Sequence, residues 1–134
     1  MEGLERFIDA QEGVIERALA ELRRGRKETH WMWFVFPQIE GLGTSPIARR
    51  YAIRSLDEAR AYLAHPVLGP RLVECAEAAL EAEGDAVDVF GPPDDLKLRS
   101  CATLFERAGG PPVFAALLDR FFAGERDPPT LART

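Results

Sequence analysis

The sequence predicts a single compact all-α domain of about six helices joined by short connectors. Three observations carry this expectation. Apolar residues recur at helical spacing along most of the chain. The stretches that carry them are closed by glycine or proline. No βαβ alternation, internal repeat or low-complexity linker interrupts them. At 134 residues the chain has one-domain length. It can bury roughly two-thirds of its unfolded surface without help from a metal or disulfide.

Leu4, Phe7, Ile8, Ile15, Ala18, Leu19 and Leu22 fall at helical spacing with charges between them, which predicts one amphipathic helix within residues 1–26. Arg23, Arg24, Arg26 and Lys27, interrupted by Gly25, supply the cations and the glycine that end a helix. His30 to Phe36, stopped by Pro37, is a short buried helix or an extended segment; so short a run does not decide between them. Gln38 to Thr44 is a glycine-containing loop. Ser45 as N-cap and Pro46 at the first helical position open a short helix. Ser55-Leu-Asp-Glu58 has the spacing of a capping box, and Leu56, Ala59 and Leu63 share a face of the helix it opens, closed at His65-Pro66. At His65 an imidazolium would suit the helix dipole.

Leu68, Leu72, Cys75, Ala79 and Leu80 mark a longer helix ending before Gly84. Val87, Val89 and Phe90 form a short apolar stretch before Gly91-Pro92-Pro93. Asp94 and Asp95 open another helix, where their charge offsets its dipole. Leu98, Cys101, Leu104, Phe105 and Ala108 give it a buried face, and Gly109-Gly110 ends it. Pro111-Pro112 begins a final helix carrying Val113, Leu117 and Phe121, ended by Gly124. Residues 125–134 read as a loosely ordered tail.

Charge narrows the partners. Seventeen basic and twenty-two acidic side chains give a net −5. Duplex nucleic acid and anionic membrane are bound through excess Lys and Arg, so neither is expected as a main partner. The acidity lies in the second half: residues 1–67 carry ten basic and ten acidic side chains, residues 68–134 seven and twelve. Met1 to Ala10 has no apolar core segment and does not read as a signal peptide. The longest apolar run, Trp31 to Phe36, is far short of the ~20 residues that span a bilayer. Cys75 and Cys101 read as small buried hydrophobes in a reducing compartment, and a cytoplasmic location is expected. His30, His65, Cys75 and Cys101 lack the close pair spacing of a structural zinc site, so no metal is expected, nor any other cofactor.

Chemistry-bearing side chains concentrate in two stretches. Between Lys27 and Ser45 lie cations, His30, Trp31, Trp33, Gln38 and the Gly41-Leu-Gly43-Thr-Ser45 loop. Indole faces suit a purine or nicotinamide ring. Amides at Gly41 and Gly43 can approach an anion closely, since neither residue has a Cβ. Ser45 sits where a helix dipole favours negative charge. The same residues also suit a plainer role, the aromatics as core and the glycines as a turn. The loop is not a Walker loop, because no Gly-Lys-Ser/Thr follows, nor a dinucleotide fingerprint, because Pro46 takes the third glycine position. His30 is the candidate for proton transfer, and the cationic run before it favours the neutral base form.

The second stretch is Asp94-Asp-Leu-Lys-Leu-Arg-Ser100. Adjacent carboxylates can orient a ribose diol or act as acid and base. Asp94 with Lys97 (i,i+3) and Asp95 with Arg99 (i,i+4) read equally well as ordinary surface pairs. Successive positions point about 100° apart on a helix, so only one of the two aspartates readily faces a given cleft.

The leading expectation is a cytosolic protein that binds or processes an anionic, ring-bearing small metabolite, nucleotide-like or ADP-ribose-like, between the two stretches. His30 and Asp94 are its catalytic candidates. Trp31, Trp33, Gln38, Gly41, Gly43, Ser45, Tyr51, Asp95, Lys97 and Arg99 are its ligand-contact candidates. The alternative is a non-catalytic helical protein–protein interaction module whose aromatics supply core and partner groove. Docking of single-stranded RNA beside Trp31 and Trp33 is opposed by the net acidity.

A long run, His30-Trp-Met-Trp-Phe-Val-Phe-Pro-Gln-Ile-Glu-Gly-Leu-Gly43, is followed by Ser45, Tyr51-Ala-Ile53, Glu58-Ala59, Ala61-Tyr62-Leu63, His65-Pro66 and Leu68-Gly69. Then come Arg71-Leu72, Glu74-Cys75, Phe90-Gly91, Asp94-Asp95, Lys97-Leu-Arg-Ser100 and Thr103-Leu-Phe105. Together these motifs, spanning most of the chain from Lys27 to Phe122, resemble the bacterial domain of unknown function 1810 family. Some of its members carry the label calpastatin, which says little about activity. The resemblance implies an all-helical fold and carries no catalytic residue over. Cys101-Ala102 stands where the family's pattern implies a Ser-Met pair, which removes a hydroxyl from that spot.

Overall fold

The apolar periodicity yields helices throughout, seen in a computed structural model that describes residues 3–134. In chain order they are α1 (Glu5–Gln11), α2 (Ile15–Arg23), α3 (Met32–Val35), α4 (Pro46–Arg50), α5 (Leu56–Ala64), α6 (Leu68–Glu81), α7 (Ala86–Phe90), α8 (Asp94–Arg107), α9 (Val113–Phe122) and α10 (Pro128–Arg133). They form one compact all-helical domain. Among the described residues ten helices replace the expected six or so, and the excess has local causes.

The helix expected within residues 1–26 is two helices. The chain breaks between them at Gly13, whose φ of +72° is open to glycine at little cost. The aromatic run contains a single turn, α3, rather than an extended segment. The apolar stretch at 87–90 is itself helical, because Asp85 and Asp88 cap it reciprocally. Asp88 N donates to Asp85 Oδ1 at 2.8 Å, and Asp85 N to Asp88 Oδ2 at 3.0 Å. The capping box expected at Ser55 is only half made. Ser55 Oγ accepts from Glu58 N at 3.1 Å, but the Glu58 carboxylate turns away to Arg54 N at 3.1 Å and the Arg6 guanidinium at 2.9 Å. His65 caps the start of α6, its Nδ1 accepting from Val67 N and Leu68 N at 3.1 and 3.2 Å.

The last ten residues are tied down, against expectation. Asp127 is buried and caps α10, its Oδ2 accepting from Thr130 N (3.2 Å), Thr130 Oγ1 (2.6 Å) and Ser100 Oγ (3.0 Å). Its own N–H donates to Thr103 Oγ1 at 3.0 Å. One buried carboxylate thereby fastens the C-terminal segment to α8 through charge-assisted hydrogen bonds.

α8 is the central helix. It is buried at Leu98 and from Ser100 to Phe105, and it packs against α5, α7, α9 and α10. Beside it α6 packs on α2, α3, α5 and α9. The Tyr62, Phe105 and Phe114 rings run through the centre with centroids 5.5 and 5.6 Å apart. Cys75 and Cys101 are unpaired and buried there, and burial pushes the Cys75 thiol up to about 12, so it is inert at neutral pH. Among the described residues no helix is long and apolar enough to cross a membrane, and no three His, Cys, Asp or Glu side chains gather where they could hold a metal ion.

One isolated parallel bridge joins the two loops beside the site. Glu40 N donates to Ile53 O, and Ile53 N to Gln38 O, both at 2.8 Å. It fixes the main chain of Gln38.

Candidate functional site

Geometry around the aromatic run starts at Glu21 on α2. This carboxylate is 2% exposed and accepts from Glu28 N (2.7 Å), Thr29 N (3.0 Å), Thr29 Oγ1 (2.6 Å) and Trp31 Nε1 (2.9 Å). Burial alone would push its pKa up. The bonds from Thr29, Glu28 and Trp31 outweigh burial and hold it down at about 2. Residues 28–31 are thereby folded over α2, and Trp31 is driven into the core at 1% exposure. The single turn of α3 then carries Trp33 and Phe34 to half-buried positions on another side. Gln11 Nε2 donates to Phe34 O at 2.8 Å, pinning that turn to α1.

Lys27 precedes this turn and is fixed by its own N–H, which donates to Val89 O at 2.7 Å. Its side chain, 7% exposed, donates to Thr29 O at 2.7 Å and meets Asp94 Oδ2 at 2.8 Å. The other oxygen of Asp94 meets Lys97 Nζ at 3.1 Å. Lys97 Nζ lies 4.7 Å from the Trp33 ring centre, and Lys27 Nζ 5.1 Å from that of Trp31. The chain contains only two lysines among its seventeen basic residues, and both converge on this one aspartate.

The three groups border a recess of about 130 Å³ lined by Lys27, His30, Trp31, Met32, Trp33, Phe34, Ile47, Asp94 and Lys97. The two sequence stretches therefore meet, and five of the twelve candidates share this hollow: His30, Trp31, Trp33, Asp94 and Lys97. His30 is exposed at the rim. Trp31 contributes no open ring face, since its indole is sealed in the core. Asp94 is not placed as a base. Burial raises its pKa, but the hydrogen bonds and charges of Lys27 and Lys97 outweigh burial and hold it below the usual carboxylate range. A carboxylate clasped by two ammonium groups takes up a proton reluctantly; its work here is to hold both cations in place, leaving a net charge of one positive unit.

The remaining candidates lie elsewhere, each for a visible reason. Gly43 serves packing: a Cβ there would lie 2.5 Å from Ala48 Cβ and 2.8 Å from Trp33 Cη2, so its bareness is what seats the Trp33 ring. Gly41 turns at φ +100°, and the Arg133 guanidinium, not an anion, occupies the space beside it. Ser45 spends its hydroxyl on the N-cap of α4, accepting from Ala48 N at 3.1 Å. Tyr51 stands behind the recess, edge-on to Phe34 with centroids 4.8 Å apart. Arg99 does not pair with Asp95; it reaches Asp127 at 3.3 Å and Glu125 at 3.8 Å. Asp95 is half-buried and lines neither this recess nor the hollow at Gln38. Gln38 lines a different hollow, which Lys97 also borders.

Sequence reading missed Lys27, Met32, Phe34 and Ile47 as individual lining residues, and Glu21 as the organiser. A signal existed for Lys27: both lysines of an arginine-rich chain sit in the two stretches that meet. Glu21 gave none, because a lone acidic residue in an amphipathic helix reads as a solvated one.

No curated protein matches the chain. The fold and the chain length are shared with a solved structure, the crystal structure at 1.38 Å of the conserved hypothetical protein Rv1873 from Mycobacterium tuberculosis. The two have a TM-score of 0.94 and 53% identity, covering 96% of this chain and 94% of that one. The sequence pattern of a family described as protein of unknown function (DUF1810) matches residues 1–134, and the chain belongs to that family.

Proposed function

We propose that the protein binds a small anionic, ring-bearing metabolite, with the anionic group seated at the Lys27–Asp94–Lys97 cluster. The observation that carries this reading is the convergence of the chain's only two lysines on one carboxylate beside the half-buried Trp33 ring. An ammonium group has three donors, and Lys97 Nζ commits to one side-chain oxygen, which leaves capacity for a ligand. Asp94 preorganises both cations, so little ordering is left for binding to accomplish. An anion about 4 Å from one uncompensated positive charge gains on the order of 4 kcal/mol at the effective dielectric of a protein surface.

Size sharpens the reading. Ligand pockets usually measure about 300–1,000 Å³. The recess of about 130 Å³ holds one acid group or one ring, so a nucleotide-sized ligand extends beyond it. If a reaction follows binding, His30 at the rim is the side chain placed to move a proton.

Thermal unfolding against a panel of nucleotides, dinucleotides and sugar phosphates at millimolar concentration tests the proposal. At least one is expected to raise the midpoint in a concentration-dependent way, corresponding to about 2.7 kcal/mol at a hundredfold excess over Kd. Lys97→Met and Trp33→Ala are expected to fold and to lose that shift. A panel that moves nothing, or a shift that survives Lys97→Met, overturns the reading.

A further inference from the structure

Lys97 lines two hollows. Besides the lysine recess it borders a wider and more open depression of about 250 Å³, formed by the loop at Gln38 and Leu42, the start of α8 and the start of α10. Gln38 lines it, is 3% exposed, and leaves its side-chain Nε2 without a hydrogen-bond partner. Its main chain is fixed by the bridge to Ile53. A buried polar nitrogen left unpaired is uncommon in folded proteins, and each case calls for a reason. Packing does not supply one, since methionine would fill similar space with no unmet donor. The terminal amide torsion of glutamine is broad, so the amide is not locked in one orientation against a partner in the hollow.

Charge divides the labour between the two hollows. The lysine recess has an excess cation. The second hollow is lined by Asp127, whose carboxylate is already paired with Arg99 at 3.3 Å, and it has no cation of its own beyond the lysine that the two hollows share. Its other walls are largely apolar, with Leu42, Pro93, Leu96 and Pro129 offering surface to a flat ring. A neutral ring with a polar edge fits this arrangement.

We infer that the second hollow takes the ring of the ligand, and that this ring is a six-membered cyclic amide of the pyrimidine type. Its carbonyl accepts from Gln38 Nε2, and its N–H donates to Gln38 Oε1. Lys97 stands between ring and anionic tail. This rests on the anion-binding reading above and adds the place and chemistry of the ring.

Nitrogen-15 NMR reads the two hollows separately, through the Gln38 side-chain amide and the Trp33 indole N–H. The probes are uridine 5′-monophosphate, uridine and ribose 5-phosphate. The nucleotide is expected to shift both signals, uridine the Gln38 amide alone, and ribose 5-phosphate the Trp33 indole alone. Gln38→Met is expected to abolish the thermal shift that uridine gives the wild type, to weaken the nucleotide about thirtyfold, the size of two lost hydrogen bonds, and to raise the unfolding midpoint of the free protein by removing an unmet donor. If uridine 5′-monophosphate and ribose 5-phosphate bind equally while the Gln38 amide stays still, the ring assignment fails and the anion site stands. If none of the probes moves the Trp33 indole, the anion site fails and takes this inference with it. A Gln38→Met variant that is less stable and binds the nucleotide as before makes Gln38 a structural residue and overturns the inference.

Discussion

Trp31 and Trp33 are two positions apart and chemically identical, yet they belong to different regions. Trp31 is sealed in the core and its N–H is spent on Glu21 at 2.9 Å. Trp33 is half-buried at the edge of a recess, with a lysine over its ring and a glycine cleared for its far end. One indole is a structural strut with every polar need met inside the protein. The other has surface left to offer. Residue type alone does not separate a core aromatic from a binding aromatic; satisfied hydrogen bonds and the occupancy of the ring faces do.

The contrast can be broken by mutation. Trp31→Ala is expected to cost about 4 kcal/mol of stability, because it opens a large cavity and removes one of the four donors to the buried Glu21 carboxylate. Urea unfolding measures this, and a loss below about 1 kcal/mol would erase the distinction between the two tryptophans. Glu21→Gln is expected to cost about 3 kcal/mol at neutral pH. The sign follows from the carboxyl's descent from 4.5 to about 2 on folding. Its contribution is fully present above pH 4.5 and is lost as pH falls from there towards 2, so the stabilities of wild type and variant converge in acid. A gap that stays constant between neutral pH and pH 2 would assign the loss to packing instead. Gly43→Ala is the mildest change. It costs about 2 kcal/mol through overpacking, because Ala48 Cβ, 2.5 Å from the added methyl, cannot swing aside, while the Trp33 indole signal shifts and the Trp31 signal does not. Equal movement of both signals would merge the regions.

Most helices were legible because each buries one apolar stripe, as in Leu98, Cys101, Leu104, Phe105 and Ala108 along α8, all of which are buried. The meeting of the Lys27–Ser45 stretch with the start of α8 was legible as an expectation from their chemistry. Breaks were harder to read. Gly13 sits between two segments in register with one helical stripe, so periodicity ran straight through it. α10 was missed because a polar network at Asp127, not an apolar stripe, holds it. Side-chain direction was the largest loss. Gly41, Gly43 and Ser45 occupy the loop expected to meet an anion, but tertiary neighbours far along the chain or one turn away claim each of them.

The scarcity of lysine has a practical corollary. Reagents that acylate primary amines find only two side-chain targets in the folded protein, and Lys97, at 25% side-chain exposure against 7% for Lys27, is the more open of them. Mass-spectrometric footprinting with such a reagent becomes a readout of the lysine cluster: a Lys27 adduct reports on the recess beside Trp33, and a Lys97 adduct on that recess or on the second hollow it also borders, so protection by an added compound shows that the compound rests against the cluster.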